Sequence, residues 1–421
     1  MTAQTPPMGW NSWDCYGAAV TEEQVLGNAR YMAERLKPYG WEYVVVDIQW
    51  ASPTADGHEY RPFSPLNMDG FGRLLPAENR FPSSKNGKGF GPLAEEIHRL
   101  GLKFGIHIMR GLPREAAHRH LPVEGSAFGC HEAADPSSVC AWNPDMYGLR
   151  CDIPAARDYY DSVFRLYASW GVDFVKCDDI AREYPRCRRE IELISQACRG
   201  CGREMVLSLS PGPAPLEEAE HLKIWANMWR ITDDFWDDWK LLKDMFGRAE
   251  KWCIHAGPGR WPDADMLPVG AVRQCEDPDS RTRFTRAEQR TMMTLWCMMR
   301  SPLMMGGEMT KNDDFTLSLL TNADVLAIEK ESWSAHPLRT TDGESVWLAP
   351  RKDGNGFYLA LFNLSEERRT VGVSAEEAEQ TAPFSARELW SGGRTEKADG
   401  ISAELGPHDA AVFLVSPRTR G

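Results

Sequence analysis

The chain has 421 residues, 42% of them apolar, and a formal net charge of −13. That acidic balance excludes a protein that tracks nucleic-acid phosphates, and no run approaches the roughly 20 apolar residues of a membrane span. The length exceeds one ordinary domain and suits a barrel of about 250 residues or more with a smaller module behind it.

The opening residues, MTAQTPPMGWNSW, carry neither the charged region nor the apolar region of a secretory signal. Eleven cysteines, an odd number without a spacing framework, read as reduced thiols, so a cytoplasmic chain is expected. Self-association into a homo-oligomer is compatible with this reading.

Strands alternate with helices along the first three quarters of the chain. A short strand at 8–13 (MGWNSW) runs into Asp14. A helix follows at 21–39, with Thr21 as N-cap and Gly40 as its stop. The stretch 43–50 (YVVVDIQW) is a buried strand ending in Asp47, and 103–110 (KFGIHIMR) is the third strand. The connection from there to about 150 is long for a structureless loop and is expected to form a wall or lid.

A helix at 156–170 precedes the fourth strand, 172–179, which ends in Lys176, Cys177, Asp178 and Asp179. The fifth strand is expected at 205–210 (MVLSLS) and the sixth at 224–231, opening onto Asp233 and Asp234. The seventh is expected to start at 252–255, its loop carrying GPGRWPDADML, and the eighth lies at 302–306 (PLMMG). A Met-rich helix at 285–300 and a last helix at 314–330 complete the series. Eight strands with intervening helices predict a (β/α)8 TIM barrel over 1–332. After that the pattern changes to short β-type runs at 346–350, 356–363, 370–373, 386–389 and 410–415, separated by Gly, Asp and Asn. These predict a C-terminal antiparallel β-sandwich over 333–421.

In such a barrel the acidic strand ends converge: Asp47, Asp178 with Asp179, Asp233 with Asp234, and Asp263 with Asp265. Crowded carboxylates repel and raise one another's pKa values, so four clusters at corresponding edges point to chemistry rather than packing. A carboxylate pair about 5–5.5 Å apart can cleave a glycosidic bond, one acid as nucleophile and the other as acid/base. The alternative is a metal held for assisted hydrolysis. Histidine is scarce at the strand ends, where only His107 and His255 qualify, and Lys176 shares a strand face with Asp178. Arg230 lies four residues before Asp234. These cations favour sugar chemistry, with no metal and no cofactor.

The motifs carry a resemblance that covers nearly the whole chain. PPMGWNSWDCYG (6–17), YVVVDIQW (43–50), GVDFVKCDD (171–179), MWRITDDFWDDW (228–239) and GRWPDADML (259–267) are similar to those of glycoside hydrolase family 27, the α-galactosidase family of retaining enzymes. The resemblance implies a barrel followed by a β-sandwich, with Asp178 as nucleophile and Asp234 as acid/base. It further implies Lys176, Arg230, Asp47 and Asp265 as sugar ligands, Trp10 as the wall of the pocket, and His107 as a polar ring facing it. The segment 208–212, with Ser210, is placed near the sugar's 2-hydroxyl.

The chain departs from the galactosidase pattern at one place. Family α-galactosidases carry two adjacent aspartates after the second strand, which grip the 4- and 6-hydroxyls of galactose; here the pair is Asp47 and Ile48. Isoleucine accepts no hydrogen bond and fills the space of a hydroxymethyl group, so a sugar lacking that arm is favoured. β-L-Arabinopyranose is α-D-galactopyranose without the hydroxymethyl. The family's β-L-arabinopyranosidases resemble this chain in that substitution and in the HIMRG run at 107–111. The expected activity is therefore release of terminal β-L-arabinopyranosyl units. The alternatives are an α-galactosidase, with Ile48 merely packed against the barrel wall, and a non-catalytic carbohydrate-binding barrel, which would need no pair of acids.

Overall fold

The structure, a computed structural model, describes residues 2–378 and 384–417. Eight parallel strands form one sheet: β1 Met8–Asn11, β2 Tyr43–Val46, β3 Lys103–Met109, β4 Phe174–Asp178, β5 Val206–Leu209, β6 Met228–Arg230, β7 Trp261–Asp263 and β8 Leu303–Met305. The neighbours run in order from β8 through β1 to β7. Leu267, just past β7, closes the ring through a parallel bridge to Met305. The (β/α)8 architecture is thus observed.

Strand alternation sorts every barrel residue to one of two sides. On β4, Val175 and Cys177 join the large core between strands and helices, whereas Phe174, Lys176 and Asp178 point into the barrel. The interior floor is apolar, built from Tyr43, Val45, Phe174, Val206, Met228, Trp261 and Met304. One level up along the same strands stand Lys176, Ser208, Arg230 and Asp263. The polar end of the barrel therefore follows from where each apolar alternation stops. Gly105 on β3 faces the same interior, and an added Cβ there would meet Phe174 Cβ and Val45 Cγ2 at 2.9 Å.

Several predicted bounds shift. The seventh strand is not at 252–255: helix Trp239–Trp252 runs on into a 3-10 turn, Cys253–His255, and the strand is Trp261–Asp263. The sixth strand starts at Met228, because 224 and 225 belong to helix Ala219–Trp225. The last predicted helix is two, Asp314–Leu320 and Ala323–Glu331, the second capped by the Asn322 side chain. The long connection after β3 is structured, with short helices and a small sheet of Leu112–Pro113, Met146–Leu149 and Ala134–Val139.

Past the barrel, β9 His336–Thr340, β10 Glu344–Pro350, β11 Phe357–Asn363, β13 Phe384–Glu388, β14 Arg394–Ala398 and β16 Ala410–Pro417 make one antiparallel sheet. A second sheet pairs β12 Arg369–Ser374 with β15 Gly400–Leu405. The first sheet is apolar on both faces. Trp347, Tyr358, Ala360, Phe362 and Val412 continue the barrel's core, while Val346, Leu348, Leu359, Leu361 and Phe413 pack within the sandwich.

Candidate active site

β1 and β2 supply one wall of the site. Asn11 faces inward and donates from Nδ2 to Asp47 Oδ2 at 2.8 Å. The Asp47 N–H donates to Ser12 Oγ at 3.0 Å, so the chain turns out of β2 with its carboxylate fixed. Lys176 Nζ donates to the same Oδ2 at 2.8 Å. Burial favours the neutral acid, but the nearby Lys176 and His107 and the hydrogen bonds from Lys176 and the Ile48 N–H hold Asp47 well below the usual carboxylate range.

β3 and β4 lie in register, with His107 opposite Lys176 and Met109 opposite Asp178. His107 Nε2 stands 2.9 Å from Asp178 Oδ2, and the Asp179 N–H donates to Oδ1 at 2.9 Å. Burial raises the Asp178 carboxyl, yet the His107 hydrogen bond and the nearby Lys176 bring it net below its ordinary value. Asp178 is thus a desolvated but ionised carboxylate, the state a nucleophile needs.

Arg230 rises from β6 and places one guanidinium nitrogen 2.7 Å from Asp265 Oδ2 and 3.1 Å from Asp234 Oδ1. Asp265 Oδ2 also accepts from the Phe235 N–H at 2.7 Å. Burial, opposed by Arg230 and aided by Asp234 and Asp263, pushes the Asp265 carboxyl up to about 6. Asp234 differs in exposure: its side chain is 51% exposed, at the mouth of the pocket.

One pocket collects Asp47, Lys176, Asp178, Arg230, Asp234 and Asp265, together with Trp13, Asp14, Tyr60 and Trp236. Ser210 and Asp263 line the space directly beneath, beside Lys176 and Arg230; Ser210 Oγ is buried without a hydrogen-bond partner. A roomier cavity lined by Pro53, Asn67, Glu78 and Arg119 brings together no pair of acids.

Trp10 does not wall this pocket. It is 0% exposed, belongs to the core outside the barrel, and donates its indole N–H to the Gly307 carbonyl at 3.0 Å. Period-two alternation explains the correction: Asn11 faces Asp47, so Trp10 must face the helices. The tryptophan at the pocket is Trp13, where the chain leaves β1 for the short helix Trp13–Tyr16. Trp13 stacks on Tyr60 at 5.5 Å, and Tyr60 in turn meets Trp142 from the connection after β3. No sequence signal marks Tyr60, which comes from a loop. Asp14 could have been found as the acid into which the first strand runs; burial and the nearby Asp265 push its carboxyl well up, and its Oδ2 has no partner.

Three other acids have partners that occupy them. Asp179 pairs with Arg110 at 2.8 Å, Asp233 with Arg182, and Asp263 Oδ1 accepts the Asp265 N–H at 2.9 Å. Ile48 is 2% exposed and belongs to the apolar cluster that includes Trp13, Met109, Cys140 and Met146; it follows Asp47 in the chain but is not among the residues that line the acid pocket.

Comparison with known proteins is consistent along the chain. Residues 137–331 match the melibiase family model described as alpha galactosidase A, and 341–415 match the alpha galactosidase C-terminal beta sandwich domain. The GH27 β-L-arabinopyranosidase from Geobacillus stearothermophilus is 53% identical, with a TM-score of 0.97 over 100% of this chain and 98% of that one. An aspartate-to-alanine variant of it, solved in complex with arabinose, superposes with a TM-score of 0.96 over 99% and 98% of the two chains. The alpha-galactosidase of Cyamopsis tetragonoloba is 28% identical over 99% of this chain and 87% of its own length.

Proposed function

The chain belongs to glycoside hydrolase family 27, and we propose that within it this glycosidase releases terminal β-L-arabinopyranosyl residues with retention of configuration. The observation that carries the mechanism is the unequal pair in one pocket, a buried ionised Asp178 facing a half-exposed Asp234. Asp178 attacks the anomeric carbon while Asp234 gives its proton to the departing oxygen. Asp234 then takes a proton from the water that releases the sugar. Its place at the mouth suits a leaving group that departs toward solvent, as a chain-end cutter requires. Asp47, Lys176, Arg230 and Asp265 hold sugar hydroxyls, His107 orients Asp178, and Ser210 offers its unpartnered hydroxyl from below.

The sugar preference rests on Ile48. A hydroxymethyl arm beside Asp47 would meet an apolar cluster and leave its hydroxyl unpaired, at a cost of roughly 1–3 kcal/mol. Two arabinopyranosidase structures at 53% identity support this reading over that of an α-galactosidase, which the 28% identical relative represents. A cytoplasmic site of action suits eleven unpaired thiols, and no helix among the described residues is long and apolar enough to cross a membrane. Asp178→Ala is expected to abolish turnover of p-nitrophenyl β-L-arabinopyranoside while preserving the circular-dichroism spectrum. Full activity in that variant would sink the mechanism.

A further inference from the structure

Away from the sugar contacts, His58, Cys275 and Glu276 bring three metal-ligating atoms within 4.8 Å of one another. His58 belongs to the connection after β2, Cys275 and Glu276 to the one after β7. His58 Nδ1 lies 2.7 Å from Glu276 Oε1 and 3.5 Å from Cys275 Sγ, and its Nε2 lies 2.8 Å from the Trp13 carbonyl oxygen. A carbonyl can only accept, so Nε2 carries the ring hydrogen. Nδ1 is then left to face a carboxylate oxygen, and two lone pairs at that distance require a positive centre between them. Either a proton, on the ring or on the carboxyl, or a cation supplies it.

We propose that His58 Nδ1, Cys275 Sγ and the Glu276 carboxylate form a site for a divalent cation of zinc type, with water in the fourth position. The donor set is one sulfur, one imidazole nitrogen and one carboxylate, which suits zinc better than calcium or magnesium. Tetrahedral ligands at ordinary zinc distances stand about 3.5 Å apart for sulfur and nitrogen, which is the separation found. The nitrogen–oxygen pair, at 2.7 Å, must open by roughly 0.7 Å to reach tetrahedral spacing, and the Glu276 side chain, 54% exposed, is free to do so. A histidine whose other nitrogen donates to a backbone carbonyl is a common metal-ligand arrangement.

Charge closes as well: a dication is balanced by the thiolate and the carboxylate, and binding releases the Cys275 proton, with any second ring proton, to solvent. The site stands behind the aromatic wall of the pocket. The His58 ring packs edge-on against Trp13 at 5.1 Å and Trp236 at 5.5 Å. An occupied site would tie together the two connections that hold these rings.

The test is titration of the metal-stripped, full-length protein with cobalt(II). One equivalent is expected to give a near-ultraviolet thiolate-to-cobalt band that zinc abolishes. Cys275→Ser should lose the band, and Glu276→Gln, a surface change, should keep it with affinity lowered about tenfold or more. Added zinc should raise the melting temperature of the wild type and leave that of Cys275→Ser unmoved. No band in the wild type, or an undiminished band in Cys275→Ser, would overturn the proposal and leave His58 and Glu276 as an ion pair.

Discussion

The Asp178 side chain is 12% exposed and accepts from His107 and from the Asp179 N–H, whereas the Asp234 side chain is 51% exposed against Arg230. Two carboxylates of one residue type thus stand in opposite surroundings, which suits them to the different roles proposed for them. Removing the His107 donor takes away hydrogen bonding and charge that favour the ionised acid, so the Asp178 pKa must rise. His107→Ala is expected to move the acid limb of the kcat/KM profile to higher pH, and an unmoved limb would show that the contact does not tune Asp178. The acids that line the pocket, Asp47, Asp178, Asp234 and Asp265, are legible as strand-end carboxylates, but the same signal also marks Asp179, Asp233 and Asp263, whose partners hold them in structural contacts. Trp10 was misplaced because a motif of consecutive aromatics does not say which ring faces inward; the Asn11–Asp47 bond does. Tyr60 was invisible, since a loop residue reaches the pocket only through the folded chain.

At the level of elements, long periodic segments are readable, and of the three-residue strands β8 falls within the expected 302–306 and β6 within 224–231, whereas β7 is missed. β7 is Trp-Pro-Asp, too short to alternate and interrupted by a proline, while the apolar 252–255 run that imitates a strand leaves Ile254 74% exposed at a helix end. Helix Arg286–Met299, by contrast, starts where its sequence says. Thr285 accepts from the Glu288 N–H while Glu288 accepts from the Thr285 N–H, a reciprocal cap. Thr285→Ala should cost about 1 kcal/mol, read as a lower denaturant midpoint, with catalysis unchanged because the cap lies outside the pocket.

Across the whole molecule, barrel and sandwich share one core. Phe246 of the barrel meets Phe362 at 4.9 Å, His408 stacks on Trp239 at 3.7 Å, and Arg290 forks onto Asp409 with contacts of 2.8–3.1 Å. The inward face of β10, β11 and β16 continues the barrel's apolar layer, so separating the two parts would expose large aromatics on both. Near- and far-ultraviolet circular dichroism are therefore expected to report one coincident unfolding transition; two separated transitions would show that the parts fold independently. The same frame holds Ile48 beside Asp47, where we propose that the choice of sugar is made. The most direct test of that choice is the ratio of kcat/KM for p-nitrophenyl β-L-arabinopyranoside to that for p-nitrophenyl α-D-galactopyranoside, measured in the wild type and in Ile48→Asp. The wild type should favour the arabinoside by about tenfold or more, and Ile48→Asp should shift the ratio toward the galactoside. A wild type that prefers the galactoside, or a ratio that Ile48→Asp leaves unchanged, would contradict the account.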